Sequence, residues 1–146
     1  MIYTLRPCTE EDFEFIFKLK VLCFKWYVEK IYGWDEEKQR ALTHAELLNN
    51  LNAMRIIQVD GKDAGLSTFS VDENNDGRIG LFAILPEFQG QGIGTRVLQD
   101  IISDNPNRRL YLKVYKENPA RHLYERVGFK LYGETITHYL YEQIPH

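Results

Sequence analysis

The 146-residue chain is short of the features that would tie it to a membrane, a metal or a nucleic acid. No apolar run approaches the roughly 18–20 residues a spanning helix requires. There are only two cysteines, Cys8 and Cys23, and no C-x-x-C pair, which argues against a disulfide framework and a thiolate metal site. Cys23 lies in an apolar helical stretch and reads as a buried free thiol. Nor is there an excess of base: 18 Lys and Arg stand against 21 Asp and Glu, for a formal charge of -3. That balance disfavours nucleic-acid binding by phosphate neutralisation. The first residues lack a basic segment followed by an apolar one, so no signal peptide is expected and a cytoplasmic location is. Repeats, low-complexity segments and linkers are also missing, and the length suits one domain over residues 1–146.

Aromatic residues, by contrast, are abundant. The 8 Phe, 9 Tyr and 2 Trp make 13% of the chain, and nine of these 19 rings fall within the first 34 residues, including Trp26 and Trp34.

Ile2–Arg6 reads as a short strand stopped by Pro7. Thr9 reads as a helix N-cap with Asp12 in the capping-box position, and the helix is expected to run to Tyr32 and stop at Gly33. At about 100° per residue it shows two apolar stripes, Phe13, Phe17, Val21, Phe24 and Val28, and Phe15, Leu19, Leu22 and Trp26. One stripe suffices for a sheet; the second must face another helix, a partner subunit or a ligand cleft. A second helix opens at Asp35-Glu36-Glu37 and carries on towards Asn50. Arg55–Val59 and Ala64–Val71 read as strands joined by a turn at Asp60–Asp63. Ile79–Leu85 reads as a strand buried on both faces.

After Pro86 a glycine-rich loop leads into a helix beginning near Gly92, with Val97, Leu98, Ile101 and Ile102 as its apolar stripe. Leu110–Tyr115 is a strand. Asn118-Pro119 opens a helix as N-cap and first residue, Ala120, Leu123, Tyr124 and Val127 share one face, and Gly128 ends it. Phe129–Gly133 and Thr137–Tyr141 are closing strands, the last of which could pair across a homodimer. Strand–helix–strand from Ile79 to Tyr115 implies a parallel pair, and the turn-linked strands before it are antiparallel. The fold class is therefore mixed α/β: a mostly antiparallel sheet, helices on both faces, and one parallel strand pair.

The string Gln89-Gly90-Gln91-Gly92-Ile93-Gly94-Thr95 places three glycines in five positions between a strand and a helix. Such a loop exposes backbone N–H groups at a helix N-terminus with no Cβ atoms to hold a ligand away, which suits a phosphate or pyrophosphate. A dinucleotide G-x-G-x-x-G fails because Thr95 occupies the third position. A P-loop fails because Gly94 precedes Thr95-Arg96.

Gln89, Gly92 and Gly94 match the Gln/Arg-x-x-Gly-x-Gly/Ala signature of the GNAT superfamily of N-acetyltransferases, which this chain resembles. A second block, Asn118-Pro119-Ala120 followed by Leu123-Tyr124 and Gly128-Phe129, resembles the family's downstream helix–strand junction, and the element order agrees along the whole chain. The resemblance implies acetyl-CoA as donor, with its pyrophosphate on the amides of Gly90, Gln91, Gly92, Ile93, Gly94 and Thr95 beside Gln89. Its pantetheine arm would lie along main-chain groups around Ala83 and Ile84, where the parallel strands splay, and Asn118 would contact it. Tyr124 would direct its hydroxyl at the departing sulfur, and no metal is implied.

An acceptor pocket built from the N-terminal helices would be walled by Trp26, Tyr27, Tyr32 and Trp34, holding a small-molecule primary amine. The family's strand glutamate has no counterpart in Leu81–Leu85, and Glu87 lies past the strand. His44, Glu46, Glu134 and His138 are the remaining titratable candidates, and the base stays open. Direct transfer is expected, because neither cysteine lies in the cofactor blocks. A protein or peptide N-acetyltransferase and a non-catalytic acyl-CoA-binding module are the alternatives.

Overall fold

A computed structural model of the chain describes residues 2–145. The strands are β1 (Tyr3–Pro7), β2 (Met54–Val59), β3 (Lys62–Val71), β4 (Gly77–Ile84), β5 (Leu110–Tyr115), β6 (Lys130–Glu134) and β7 (His138–Gln143). The helices are α1 (Phe13–Tyr32), α2 (Glu36–Asn50), α3 (Ile93–Asp104) and α4 (Ala120–Arg126). The strands form a seven-stranded sheet in the order β1-β2-β3-β4-β5-β7-β6. Its β4–β5 pair is parallel, with Gly77 opposite Leu110 and Arg78 opposite Tyr111 at the start of each strand. The expected mixed α/β class is thus the observed one. Among the described residues no helix is long and apolar enough to cross a membrane.

The chain groups into two compact units, Met1–Thr68 with Leu81–Gln91, and Phe69–Gly80 with Gly92–His146. In the first unit, Ile16 and Leu19 of α1 and Leu47 of α2 pack on Met54, Ile56, Leu66, Ala83 and Leu85, with Cys8 among them. Burying each such aliphatic side chain contributes about 1.5–3 kcal/mol. Burial also pushes the Cys8 thiol up to about 11. Helix α1 begins at Phe13, after a single 3-10 turn at Glu10–Asp12, rather than directly behind Thr9. It has no internal glycine or proline, and Gly33 at φ 80 ends it, donating its N–H to the Glu29 carbonyl at 3.0 Å. Between β2 and β3 the turn is tighter than expected. Asp60 (φ 52) and Gly61 (φ 77) are both left-handed, and Val59 pairs directly with Lys62, as in a two-residue hairpin.

Two other expectations need correction. β4 is not buried on both faces: Ile79 and Ala83 are buried, whereas Leu81, Phe82 and Ile84 are half-buried and Arg78 is exposed. The last strand is not free to pair across a dimer, because β7 lies between β5 and β6 and both of its backbone edges are used. The sheet instead ends on β1 and on β6, whose register with β7 slips between Leu131 and Gly133, leaving Tyr132 as a bulge.

A charged clamp closes the first unit. Arg6 of β1 donates from Nη2 to Asp12 Oδ1 (2.7 Å) and from Nη1 to Asp12 Oδ2 (3.0 Å), and reaches Asp63 Oδ2 of β3 at 3.0 Å. Asp12 also accepts from the Thr9 N–H at 2.9 Å, so the acidic half of the predicted capping box forms. Gln58 Nε2 donates to Asp63 Oδ1 at 2.9 Å. The hydrogen bonds from Arg6 hold both carboxyls below the usual carboxylate range. A lowered pKa in the folded state stabilises above the unfolded value of about 4 and is lost as pH falls through the folded values. Arg6→Met is therefore expected to cost about 1–3 kcal/mol at neutral pH, leaving Asp12 without its partner. Urea unfolding of the two proteins should converge as pH drops below the carboxylate range; an undiminished gap there would contradict the clamp.

Candidate active site

In the first unit the end of β4 and the loop behind it are built around one carbonyl. Pro86–Phe88 makes a single 3-10 turn, with Gln89 N–H donating to the Pro86 carbonyl at 3.1 Å. The turn brings the Gln89 side chain back, and Nε2 donates to the Ile84 carbonyl at 2.8 Å. The Cys23 thiol of α1 donates to the same oxygen at 3.4 Å. Gln91 Nε2 donates to the Glu87 carbonyl at 3.2 Å, and Gly90 takes the left-handed conformation at φ 77.

Ala83 and Ile84 face different ways. Leu85 N–H bonds the Ala64 carbonyl of β3 at 2.8 Å, and a Cβ on Gly65 of β3 would collide with the Ala83 carbonyl oxygen. By strand alternation the main-chain groups of Ile84 lie on the side away from β3.

In the second unit, Gly92 at φ 81 is the N-cap of α3, and its carbonyl accepts from Arg96 N–H at 3.0 Å. The N–H groups of Ile93, Gly94 and Thr95 precede the first intrahelical bond and have no partner within the helix. Ile93 anchors this turn by its buried side chain, so it could meet a ligand through its backbone only. Gly92 is exposed, and a Cβ there would meet nothing within 4 Å. The turn can therefore accept an anion on its amides.

Asn118 stands one residue earlier than expected: Pro119 is the N-cap of α4, and Asn118 Oδ1 accepts from Ala120 N–H at 2.9 Å. Tyr124 is buried and meets Phe129 edge-on, ring centroids 6.2 Å apart. Burial alone pushes its phenol up to about 12, so it keeps its proton throughout the neutral range.

The four N-terminal aromatics do not form one wall. Trp26 is 59% exposed and Tyr32 65%. Trp26 meets its neighbour Tyr27 edge-on at 5.2 Å, with Lys30 Nζ 4.9 Å from its ring. Trp34 belongs to a separate pile: it lies 6.2 Å from Phe17, which stacks on Phe13 at 6.0 Å, and Lys25 Nζ sits 5.3 Å from its ring. The indole N–H of Trp34 is buried and finds no acceptor among the described residues.

The titratable candidates differ in how far they are engaged. Glu46 pairs with Lys20 at 2.8 Å, Glu134 with Lys116 at 3.3 Å, and His44 lies exposed, edge-on to Phe13 at 5.6 Å. His138 is opposite Tyr115 in the β5–β7 ladder and lies against its ring, centroids 4.2 Å apart and planes tilted by 32°. That pairing had no local signal, because it depends on β7 inserting next to β5.

The profile of the Acetyltransferase (GNAT) family matches residues 13–129. The spermidine N(1)-acetyltransferase of Escherichia coli K12 is 29% identical over 143 residues, covering 90% of this chain and 75% of that one. A 5-NmdU N-acetyltransferase of Pseudomonas phage PaMx11 is 37% identical over 54 residues, 36% of this chain and 39% of that protein. The structure of the PaiA N-acetyltransferase of Thermoplasma acidophilum in complex with coenzyme A superposes with a TM-score of 0.77 at 19% identity, covering 99% of both chains.

The left-handed cap gives a direct test of the loop. Gly92→Ala should lower stability by about 1–2 kcal/mol in urea unfolding through backbone strain alone, since no neighbour obstructs the added methyl. A loss well below this would mean that Gly92 is not held at positive φ.

Proposed function

The chain belongs to the GNAT family of acetyltransferases, and from that premise we propose that it moves an acetyl group from acetyl-CoA to a primary amine of a small molecule, directly, in a ternary complex. The observation that carries this reading is Tyr124, a buried phenol that burial keeps protonated to about pH 12. Acetyl-CoA supplies an activated thioester carbonyl and a thiolate leaving group. The amides of Gly92, Ile93, Gly94 and Thr95, with the preceding Gly90 and Gln91, suit its pyrophosphate. Of the main-chain groups around Ala83 and Ile84, the Ile84 N–H on the side of β4 away from β3 suits the pantetheine arm, since Ala83 faces β3 and the Ile84 carbonyl is taken by Gln89 and Cys23. Gln89 braces the loop and Asn118 stands at the start of α4. Tyr124 Oη holds the proton that the departing sulfur needs.

The small-amine acceptor draws its support from the spermidine relative, which matches 90% of the chain. Trp26, Tyr27, Tyr32 and Trp34 then serve as separate aromatic contacts, with the acids Asp35, Glu36 and Glu37 beside them. Such surfaces suit a cationic aliphatic amine. The exposure of Trp26 and Tyr32 favours a second reading, an open surface for a peptide amine.

Acetyl-CoA at 100 times its Kd should add about 2.7 kcal/mol of stability, a rise of several degrees in Tm. Tyr124→Phe should keep that rise while cutting kcat about 100-fold. Spermidine and other small amines are expected to be acetylated in preference to peptides. Absence of a thermal shift would sink the donor assignment, binding without turnover would favour a non-catalytic module, and preference for peptides would favour the second reading.

A further inference from the structure

An alkyl amine with a pKa near 10.4 must lose a proton before it can attack, at a cost of about 4–5 kcal/mol at pH 7. It must shed a second proton as the amide forms. β4 offers no carboxylate along Leu81–Ile84 for either task. The β5–β7 pair offers a group of another kind.

Residues 139 and 141 of β7 face α4. Arg121 lies 5.5 Å from the Tyr139 ring, and Tyr141 Oη donates to Glu125 Oε2 at 3.0 Å. His138, of opposite parity, therefore stands on the other face of the strand pair, opposite the last residue of β5. The Tyr115 ring holds the imidazole by a close tilted contact, and His138 Nδ1 is 2.7 Å from Thr137 Oγ1. The backbone beneath is fixed as well: Thr135 Oγ1 accepts from His138 N–H at 2.9 Å, and Thr135 N–H donates to the His138 carbonyl at 2.8 Å.

We propose that His138 is the proton acceptor for the amine, a role that rests on the acetyl-transfer reading above. With Nδ1–H donating to Thr137 Oγ1, Nε2 is left with a free lone pair. Nε2 first takes the ammonium proton and passes it to solvent. The neutral nitrogen then bonds to the acetyl carbon, the carbon–sulfur bond breaks, and Nε2 takes the second proton that nitrogen sheds. The sulfur takes the proton of Tyr124 Oη. Solvent then carries a proton from His138 to Tyr124, and the sum is ammonium plus thioester giving amide, thiol and one proton released to solvent. Tyr124 is carried by α4, which packs on one face of the β5–β7 pair, and His138 projects from the other face of that pair, so the leaving group and the nucleophile are served from opposite faces.

The charged neighbours are compatible with this role. Lys113 lies on the same face of β5, and Lys116, whose N–H donates to the Thr137 carbonyl at 3.1 Å, is paired with Glu134 of β6. Burial first, and Lys113 second, lower the His138 pKa, so the ring is neutral at pH 7.

The test compares the wild-type chain with His138→Gln and Thr137→Val, using spermidine and a panel of primary amines at saturating acetyl-CoA. His138→Gln should lose about 100-fold or more in kcat at pH 7, keep the acetyl-CoA thermal shift, and lose the acidic limb of the pH profile. Methoxyamine, which is already neutral at pH 7, should narrow the gap to roughly tenfold or less. Thr137→Val leaves the ring in place and removes its hydroxyl partner, so kcat should fall and the acidic limb should move to lower pH. If His138→Gln stays within about threefold of wild type, or if the limb is unmoved in Thr137→Val or moves upward, the proposal is wrong while acetyl transfer stands. If the wild-type chain binds acetyl-CoA and acetylates no amine, the transfer reading itself fails and takes the proposal with it.

Discussion

The carbonyl of Ile84 is the point on which the first unit's loop depends. A strand end leaves a backbone acceptor unpaired, and leaving it so in a half-buried place costs about 1–3 kcal/mol. Here Gln89 and Cys23 both donate to it, the first from the glycine loop and the second from α1. One oxygen thus fixes the return of the loop and ties the aromatic-rich helix to the end of β4. Gln89 has a structural duty in the protein by itself, independent of any ligand. It folds the loop back so that Gly90 and Gln91 lie exposed.

The second unit divides its labour along β5. At the N-terminal end Arg109 pairs with Glu142 of β7 (2.7 Å) and Asp76 (3.3 Å), between the rings of Tyr111 and Tyr132 at 5.0 Å each. Tyr111 Oη donates to Asp72 Oδ2 at 2.9 Å, and the Arg109 carbonyl accepts from Gly77 N–H at 2.8 Å. This end is held by ion pairs that join the residues just before β4 and β5 to β7. At the C-terminal end Tyr115 and His138 meet through ring contact.

Much of this was legible in the chain itself. Periodicity and punctuation placed β5 to the residue, and the opening of α2 was off by one: Asp35, expected in its first turn, is its N-cap, accepting from Lys38 N–H at 3.1 Å. The glycine loop and the Asn118–Phe129 block indicated the family because their backbone requirements are local: positive φ at Gly90, Gly92 and Gly128, and a side-chain oxygen before the first turn of α4. What escaped the sequence was non-local. The order β5-β7-β6, and with it the ring contact of His138 with Tyr115, depends on which strand inserts beside which. The splitting of the aromatics between a Phe13–Phe17–Trp34 pile and a Trp26–Tyr27 pair depends on where α2 crosses α1, which stripes on a helical wheel do not specify.

The bulge at Tyr132 bears on how the chain behaves in company. A sheet of this order ends on two strands whose outer N–H and C=O groups could template another chain. At one end β1 finishes in Pro7, which has no N–H to offer, and the guanidinium of Arg6 is engaged within its own unit. At the other end the slip in β6 breaks the even spacing that an added strand would follow, and Lys130 and Glu134 place charges at both of its ends. The sheet is thereby terminated rather than merely short, and crowded or concentrated solutions gain little purchase for extending it from either side.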